Sequence, residues 1–374
     1  MIREERLFQL FRDLCLINSP PLQERDCVLF VRNLLESKGL SVWEDNASQK
    51  INGNANNLYA KLPANQAGIP GIFFSAHFDT VEPTEGLVIE ERDGVFYSNG
   101  KTILGADDKG GMAPILEAVF AIQESDIPHG DIFLVLTCAE EIGLKGAYAS
   151  DFKDVNVSYG FVFDTGPPVG SFVSRVGTHD RFTARVIGKP AHAGKDPEKG
   201  INSIQIASVG IAAMKLGRID EETTANIGTI RGGTATNVVP AETVMTGEAR
   251  SFDKEKLRLQ IEHMVTCLEK AAQDGSAIAE IDVERAYEGY EHDKNSKVVQ
   301  VALQAARRLG WNYDLRSTLG GSDANVFNSR GIPTVVCGTG MEEIHTHQEH
   351  ISKTDLVNSA RLAIEIVKVS SEIR

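Results

Sequence analysis

A chain of 374 residues exceeds the usual size of one domain, and its 42% hydrophobic and 24% charged residues are typical of a globular protein with a sizeable core. The formal net charge of −14 repels phosphate backbones and anionic lipid, which argues against nucleic acid or a membrane surface as a partner. The five cysteines are odd in number and lack CxxC spacing, so neither a disulfide framework nor a thiolate metal site is expected.

The first forty residues predict two helices. Apolar residues recur at helical spacing in 7–14 and again in 28–34, and Gly39 ends the second helix. The opening MIREERLFQLFRDLC is charged and amphipathic, whereas a signal peptide needs an uninterrupted apolar core. No run approaches the roughly 18 apolar residues of a membrane span. We therefore expect a cytoplasmic protein.

Strands and helices then alternate along the chain. NNLYAKL, GIFFSAHF, DIFLVLTCA and YGFVFDT predict strands, and GGMAPILEAVFAIQ predicts a helix between the second and third of them. Apolar strands separated by a helix indicate an α/β fold with a mainly parallel sheet flanked by helices on both faces. The alternation of helices and apolar strands returns after Asn295, with a helix, the strand PTVVCG and a closing helix from Lys353.

Between these two regions the pattern changes. HDRFTARVIG alternates as a half-exposed strand does, and helix, two strands, a long helix and a further strand follow it. The resulting order, β-α-β-β-α-β, is that of a small sheet with two helices on one face. We therefore predict a catalytic domain of residues 1–176 and 291–374, with residues 177–290 inserted into it.

Histidines and acids collect in five short stretches, most of which end or follow an apolar strand. In an open α/β sheet, groups at the carboxyl ends of strands converge in one crevice. A single stretch of this kind is more often a turn, a helix cap or a solvated face, but the joint appearance of five is difficult to assign to chance. The stretches are AHFDT (His77, Asp79), LGADDKGG (Asp107, Asp108), LVLTCAEE (Glu140, Glu141), FVFDTG (Asp164) and IHTHQE (His345).

Imidazole and carboxylate ligands without thiolate suit zinc, cobalt or manganese. Two histidines and three carboxylates suffice for two ions about 3.5–4 Å apart that share one bridging acid. One acid, Glu140, is then left over, and a carboxylate beside a metal-activated water is the expected general base. The five candidate ligands are His77, Asp107, Glu141, Asp164 and His345.

In this order the five stretches resemble the signatures of the two-zinc exopeptidase family, which includes peptidase T, glutamate carboxypeptidase, aminoacylase and succinyl-diaminopimelate desuccinylase. ADDKGG and AEEIGLKGA favour the peptidase T branch, and the similarity covers nearly the whole chain. The resemblance implies that His77 and Asp164 hold one zinc, that Glu141 and His345 hold the other, and that Asp107 bridges them. It also implies that Asp79 orients the site and that Glu140 is the base.

The alignment of this sequence with the family motifs leaves alternatives at two positions. Relatives with a single acid in the ADDK stretch keep it where Asp107 stands, which favours Asp107 over Asp108. The family histidine is followed four residues later by a glutamate, a spacing that His345 and Glu349 satisfy and His347 does not. His345 is therefore expected to be the ligand, with His347 and His350 as the competing positions.

The inserted domain carries further family-like positions, each of which has an ordinary alternative as a loop or turn residue. In the family, the histidine that corresponds to His192 commonly reaches the active site of the partner subunit and polarises the scissile carbonyl. The resemblance therefore implies a homodimer through the inserted domain, which would act as a lid and dimerisation domain. The other candidate substrate-binding residues are Asn237, Arg250, Gly320, Gly321 and Ser322.

The expected function is metal-dependent hydrolysis of short peptides, as a tripeptide aminopeptidase with two zinc ions. An N-acyl amino acid deacylase or a carboxypeptidase would use the same metals, and a guanidinium such as that of Arg250 could hold a terminal carboxylate in either. A non-catalytic metal-binding scaffold would lack a ligand or the base, and none is missing here. A nucleic-acid-processing metalloenzyme conflicts with the net charge.

Overall fold

The computed structural model describes residues 1–312 and 315–373, which form two compact units. The first unit comprises Met1–Ser174, Glu291–Ser317 and the chain from Ser322 onward, and the second comprises Arg175–Tyr290 and Thr318–Gly321. Each unit has a hydrophobic core of its own. Within the described ranges, we find no helix with both the length and the apolar character that crossing a membrane requires. The domain roles expected from the sequence stay predictions.

The helices and strands are numbered in chain order. The α-helices are α1 (Glu4–Leu16), α2 (Arg25–Ser37), α3 (Ala47–Ile51), α4 (Ala106–Gln123), α5 (Lys145–Ala149), α6 (Ser203–Ala213), α7 (Lys254–Asp274), α8 (Lys297–Arg308), α9 (Asp323–Ser329) and α10 (Lys353–Glu372), with a 3₁₀ helix at Pro197–Lys199. The strands are β1 (Ser41–Glu44), β2 (Leu58–Leu62), β3 (Ile72–His77), β4 (Ile89–Arg92), β5 (Val95–Ser98), β6 (Ile132–Thr137), β7 (Tyr159–Thr165), β8 (Phe172–Val176), β9 (Thr178–Ile187), β10 (Gly217–Arg218), β11 (Thr223–Gly232), β12 (Glu242–Ser251), β13 (Ile278–Tyr287), β14 (Tyr290–Glu291), β15 (Leu315–Thr318), β16 (Thr334–Gly338) and β17 (His350–Ser352).

The large sheet has nine strands in the order β1-β2-β6-β3-β7-β16-β8-β14, and β15 also pairs with β8. Its central strands β6, β3, β7 and β16 run parallel, and antiparallel strands flank them on both sides. Every residue of β3 and β6 is buried, which explains why these strands are mainly apolar in the sequence. The predicted mainly parallel α/β fold is therefore confirmed.

Two features of the first unit position the site. Helix α4 packs against β3, β7 and the closing helix α10, so its first residues lie at the carboxyl ends of the central strands. The loop that contains His345 ends at β17, which begins at His350 and belongs to a small antiparallel sheet of order β17-β5-β4. The regular part of α4 and the end of that loop are thus both packed within the first unit.

The second unit is an antiparallel sheet of order β10-β11-β12-β9-β13, on which α6 and α7 pack. Apart from the two-residue β10, its elements follow the chain as β-α-β-β-α-β, as the sequence predicts. Along β9, buried and exposed residues alternate after Asp180, which is the pattern of a sheet with one covered face.

Candidate metal centre

The site is formed where parallel strands of the first unit end. His77 is the last residue of β3 and is 2% exposed, and Asp164 is the penultimate residue of β7. Glu140 and Glu141 follow β6 after a short turn. The carboxyl ends of adjacent parallel strands lie at one edge of a sheet, which explains why residues far apart in sequence meet here.

His77, Asp107 and Asp164 form a first triplet, in which one potential ligand atom from each lies within 4.8 Å of the others. The Nε2 atom of His77 is 3.2 Å from Asp107 Oδ1 and 3.9 Å from Asp164 Oδ1. All three side chains are at least 90% buried. One imidazole and two carboxylates at this spacing are a suitable donor set for a divalent cation.

Asp107, Glu141 and His345 form a second triplet of the same kind. His345 Nε2 is 3.2 Å from Asp107 Oδ2 and 3.2 Å from Glu141 Oε1. Asp107 therefore presents one oxygen to each triplet. This is the division of ligands that the family resemblance implies, although the individual ligand roles stay predictions.

The geometry also separates the candidates that compete for two positions. Within the described ranges, Asp107 but not Asp108 belongs to a triplet, and Asp108 instead accepts the backbone N–H groups of His77 (3.2 Å) and Gly111 (3.1 Å). His347 lies 3.2 Å from the exposed carboxylate of Glu82. The His350 ring stacks on Tyr97 with centroids 5.1 Å apart. Asp107 and His345 are thus the residues that the fold brings to the triplets.

The turn that carries Glu140 and Glu141 is held by carboxylates from two other segments. Asp79 accepts the N–H of Glu140 on one oxygen and the N–H of Glu141 on the other, both at 3.0 Å. Ala139 has φ +53°, a conformation that is unusual for a residue with a Cβ, and its N–H donates to Glu24 Oε1 at 2.9 Å. These three consecutive N–H groups fix the backbone from which both glutamates project.

The surroundings of the two imidazoles stabilise positive charge. Burial lowers the pKa of His77, but hydrogen bonds to Asp107 and Asp79 outweigh burial and hold that pKa well above its ordinary value. Hydrogen bonds to Asp107 and Glu141 raise the pKa of His345 to about 10. A cluster of carboxylates that stabilises a protonated imidazole also attracts a metal cation, and binding the metal would release those protons.

Glu140 belongs to neither triplet. Burial raises the pKa of its carboxyl well above the ordinary value; His77 opposes this shift, and the charge of Asp323 adds to it. Asp323 in turn accepts a hydrogen bond from the hydroxyl of Thr137, the last residue of β6. Glu140 is therefore a buried carboxyl beside the candidate metal ligands, with an increased affinity for a proton.

The family model for peptidase family M20/M25/M40 matches residues 73–369 of the chain, which include every residue of the two triplets. The chain belongs to this family. Two solved structures are similar over essentially their whole length: a tripeptidase from Staphylococcus aureus (38% identity, TM-score 0.95, 100% of both chains) and aminopeptidase PepT from Bacillus cereus (40% identity, TM-score 0.89, 99% of both chains). A dinuclear metal binding M20 peptidase from Bacillus subtilis shares the fold at 22% identity (TM-score 0.72, 99% and 98% coverage).

As a peptidase T-like member of family M20, the chain is a hydrolase that acts on peptides. The predicted resemblance, the fold class and the assignment as a metallopeptidase are thereby confirmed.

The candidate substrate-binding residues of this M20 enzyme lie mostly in the second unit. His192 is exposed and its Nδ1 accepts the N–H of Gly194, while the carbonyl of Asn237 accepts the N–H of the next residue, Ala193, at 3.0 Å. Gly320 and Gly321 also belong to the second unit, whereas Ser322 belongs to the first and caps α9 by accepting the N–H of Ala324. Their roles in substrate binding stay predictions.

Arg250 is already engaged within the second unit. Its Nε and Nη2 donate to the two oxygens of Glu248 at 3.0 and 2.9 Å, and its Nη1 donates to the carbonyl of Leu319 at 3.0 Å. The hydrogen bond from His179, followed by those from Arg250, lowers the pKa of Glu248 to about 2 despite its partial burial. Arg250 is thus part of an internal ion-pair network.

Sequence reasoning missed two acids that support this site. Glu24 does not belong to any recognisable sequence motif, because its hydrogen-bond partner Ala139 lies 115 residues away in the chain. Glu349 entered only as a spacing mark for His345, yet its carboxylate accepts the N–H groups of Gly105 and Asp107. Backbone contacts of this kind leave no signal in a single sequence, since any residue type can donate an N–H.

Proposed function

We propose that the protein is a tripeptide aminopeptidase that uses two divalent ions, zinc in the native enzyme, and Glu140 as its general base. The observation that carries the proposal is the position of Asp107, which lies 3.2 Å from the imidazole of each triplet. The similarity to a tripeptidase and to an aminopeptidase at 38% and 40% identity supports the specificity.

The donor set fits two such ions. His77 and Asp164 would hold one, Glu141 and His345 the other, and Asp107 both, which gives each ion three protein ligands and leaves a position for water or substrate. Imidazole and carboxylate donors accept zinc, cobalt or manganese. Two ions in these positions would supply Lewis acidity towards a carbonyl and lower the pKa of a water from 15.7 towards about 7.

The residues of the chain have complementary tasks. Glu140 accepts a proton from the attacking water and then donates it to the nitrogen of the leaving amine, so a single carboxyl acts first as base and then as acid. A carboxyl whose pKa is raised by burial suits both steps, because it holds a proton more readily than an exposed glutamate does. Asp79 holds the backbone of Glu140 and thereby the direction of its side chain.

Exchanging Glu140 and Glu141 separately for glutamine tests these roles with a matched pair. Glu140→Gln removes the base, so we expect kcat to fall roughly 10²- to 10⁴-fold while both metals remain bound. Glu141→Gln removes a ligand, so we expect metal to be lost as well. Steady-state kinetics and metal content per chain are the measurements. A Glu140→Gln enzyme with full metal content and nearly normal kcat would contradict the assignment.

Chelation tests the dependence on metal and its identity. Dialysis against a chelator should abolish peptide hydrolysis, and titration with zinc, cobalt or manganese should restore it with two ions per chain. Zinc is expected to be the ion retained by protein purified without added metal. Hydrolysis that continues in a preparation shown to be metal-free would overturn the proposed centre.

A panel of small amides tests the specificity. Tripeptides should be cleaved faster than dipeptides and N-acyl amino acids, and acetylation of the N-terminal amine should abolish cleavage while amidation of the C-terminus should not. The similarity to a tripeptidase and to an aminopeptidase supports this outcome. Preferred cleavage of N-acyl amino acids would make the protein a deacylase instead.

We also propose a homodimer that forms through the second unit, and a cytoplasmic location. Strand β13 lies at the edge of the second unit's sheet, and pairing of two such edges about a two-fold axis satisfies backbone groups on both strands. In the family resemblance, the histidine at position 192 serves the active site of the partner subunit. Sedimentation or light scattering at assay concentration measures the oligomeric state.

A further inference from the structure

We infer that Glu349 is a positioning residue that fixes Asp107 for both metal triplets, an inference that rests on the proposed two-metal function. Glu349 is neither a candidate ligand nor a candidate base. It connects the loop that carries His345 to the segment that carries Asp107, two parts of the chain more than 240 residues apart.

The carboxylate of Glu349 binds backbone on both oxygens. Oε2 accepts the N–H of Gly105 at 2.6 Å and Oε1 accepts the N–H of Asp107 at 2.8 Å, in a side chain that is 1% exposed. These donors flank the start of α4, where Asp107 and Asp108 depart from helical φ and ψ angles. The helix itself does not define the backbone there, so an external acceptor is needed to set the position of Asp107.

The other end of Glu349 is equally well held. The N–H of Glu342 donates to the carbonyl of His350 at 2.9 Å, and the N–H of His350 donates back at 3.1 Å, which closes the loop between them. His350 also begins β17, which pairs with β5. Glu349 therefore projects from the fixed base of the loop in which His345 adopts φ +63°.

Fixing Asp107 has consequences for both triplets, because within the described ranges Asp107 alone belongs to both. A shift of its backbone changes the distances to His77 and to His345 together. Residues that orient a metal ligand through a hydrogen bond are worth about 10- to 100-fold in metal affinity. Loss of the contacts of Glu349 should therefore weaken the binding of both ions and not of one.

The same hydrogen bonds could merely cap α4, since the first N–H groups of a helix lack partners within it. A cap stabilises the fold whether or not metal is bound. A positioning residue changes metal affinity in a protein that is folded without metal. The two roles are therefore separated by measuring metal affinity and thermal stability on the same metal-free preparation.

Glu349→Gln is the variant of choice, because it keeps the size of the side chain and turns one acceptor oxygen into a donor that faces an N–H. We expect a 10- to 100-fold loss of zinc affinity at both sites, measured by competition with a chromogenic chelator, with a native far-UV circular dichroism spectrum. Glu342→Gln is the matched control. It makes the same change in the same loop on a half-exposed side chain, and its zinc affinity should equal that of the wild type.

Two results would overturn the inference: wild-type zinc affinity in Glu349→Gln, with or without a lower melting temperature, or an equal loss of affinity in Glu342→Gln. Failure of the wild type to bind two ions would instead contradict the proposed function. If Glu349→Gln does not fold, Glu349→Asp is measured in the same way, because it keeps the carboxylate but shortens its reach to the N–H groups of Gly105 and Asp107. A loss of zinc affinity in the folded, metal-free variant supports the positioning role, and wild-type affinity excludes it.

Discussion

The acidic residues of this centre differ in what their two oxygens contact. Asp79 and Glu349 each bind two backbone N–H groups, whereas Asp107 presents one oxygen to each of two imidazoles. Asp108, adjacent to Asp107, belongs to the first kind. Two adjacent aspartates thus have different contacts: Asp108 holds the chain, and Asp107 faces the imidazoles of the two triplets.

His345 and His347 provide a residue-scale prediction in which two neighbouring histidines behave differently. His345→Ala removes a candidate ligand 3.2 Å from both Asp107 and Glu141, so zinc affinity should fall by more than the roughly 10- to 100-fold cost of losing a supporting hydrogen bond. His347→Ala removes a half-exposed contact to Glu82 and should leave affinity unchanged. Metal content after dialysis at fixed free zinc is the measurement, and the reverse order would show that His347 is the ligand.

Most of the candidate ligands could be predicted from the sequence, because acids and histidines that repeatedly follow apolar strands are typical of a shared site at the strand ends. The structure brings together the five positions expected to bind metal. The backbone contacts of Asp79 and Glu349 were not accessible, since they depend on the direction of N–H groups in turns with irregular φ and ψ. The orienting role expected of Asp79 is thus only part of its contacts, because its carboxylate lies 3.5 Å from His77 Nδ1 and also holds the N–H groups of Glu140 and Glu141.

At the scale of elements, the order and direction of the strands bring residues that are distant in sequence to one site. The four central strands are parallel, so β3, β6 and β7 end on the same side and deliver His77, the Glu140–Glu141 turn and Asp164. Apolar runs predicted these strands well. Helix α4 was predicted only from its regular part, because the non-helical opening at Asp107 and Asp108 has no periodicity to detect.

Gly111 carries the element-scale prediction, because it sets how closely α4 approaches β7. A Cβ added at Gly111 would lie 1.8 Å from the carbonyl oxygen of Phe163 and 2.4 Å from Asp108 Oδ1. Alanine favours a helix over glycine by about 1 kcal/mol, but a clash with backbone cannot be relieved by a rotamer change. We expect Gly111→Ala to lower the free energy of unfolding by at least about 1–3 kcal/mol.

The displacement of α4 from β7 should also separate Asp107 from Asp164 and weaken metal binding in Gly111→Ala. Gly53→Ala in the same unit is the control, since its Cβ would meet only side chains at 3.4 Å or more. Thermal unfolding of both metal-free variants is the measurement. Equal melting temperatures of the two variants would show that α4 can move away from β7 without a loss of stability.

At the scale of the whole molecule, the metal centre belongs to one unit and most candidate substrate residues belong to the other. The triplets, Glu140 and Glu349 all lie in the first unit. His192, Asn237 and Arg250 lie in the second. The β-α-β-β-α-β order of the second unit was predictable from alternating strands and two helices. Whether its candidate substrate residues serve the centre of their own chain or that of a partner subunit depends on how the chains assemble.

Subunit exchange answers that question. If His192 of one subunit acts at the centre of its partner, a heterodimer of Glu140→Ala and His192→Ala chains contains one site with both residues intact. Random equal mixing makes half of all dimers heterodimers, so activity should return to about a quarter of the wild-type sites. Mixing Glu140→Ala with Glu141→Ala is the control and should restore nothing, because both residues belong to one chain's centre. Heterodimers that form, as native mass spectrometry would detect, but remain inactive would place the action of His192 within its own chain or remove it from catalysis.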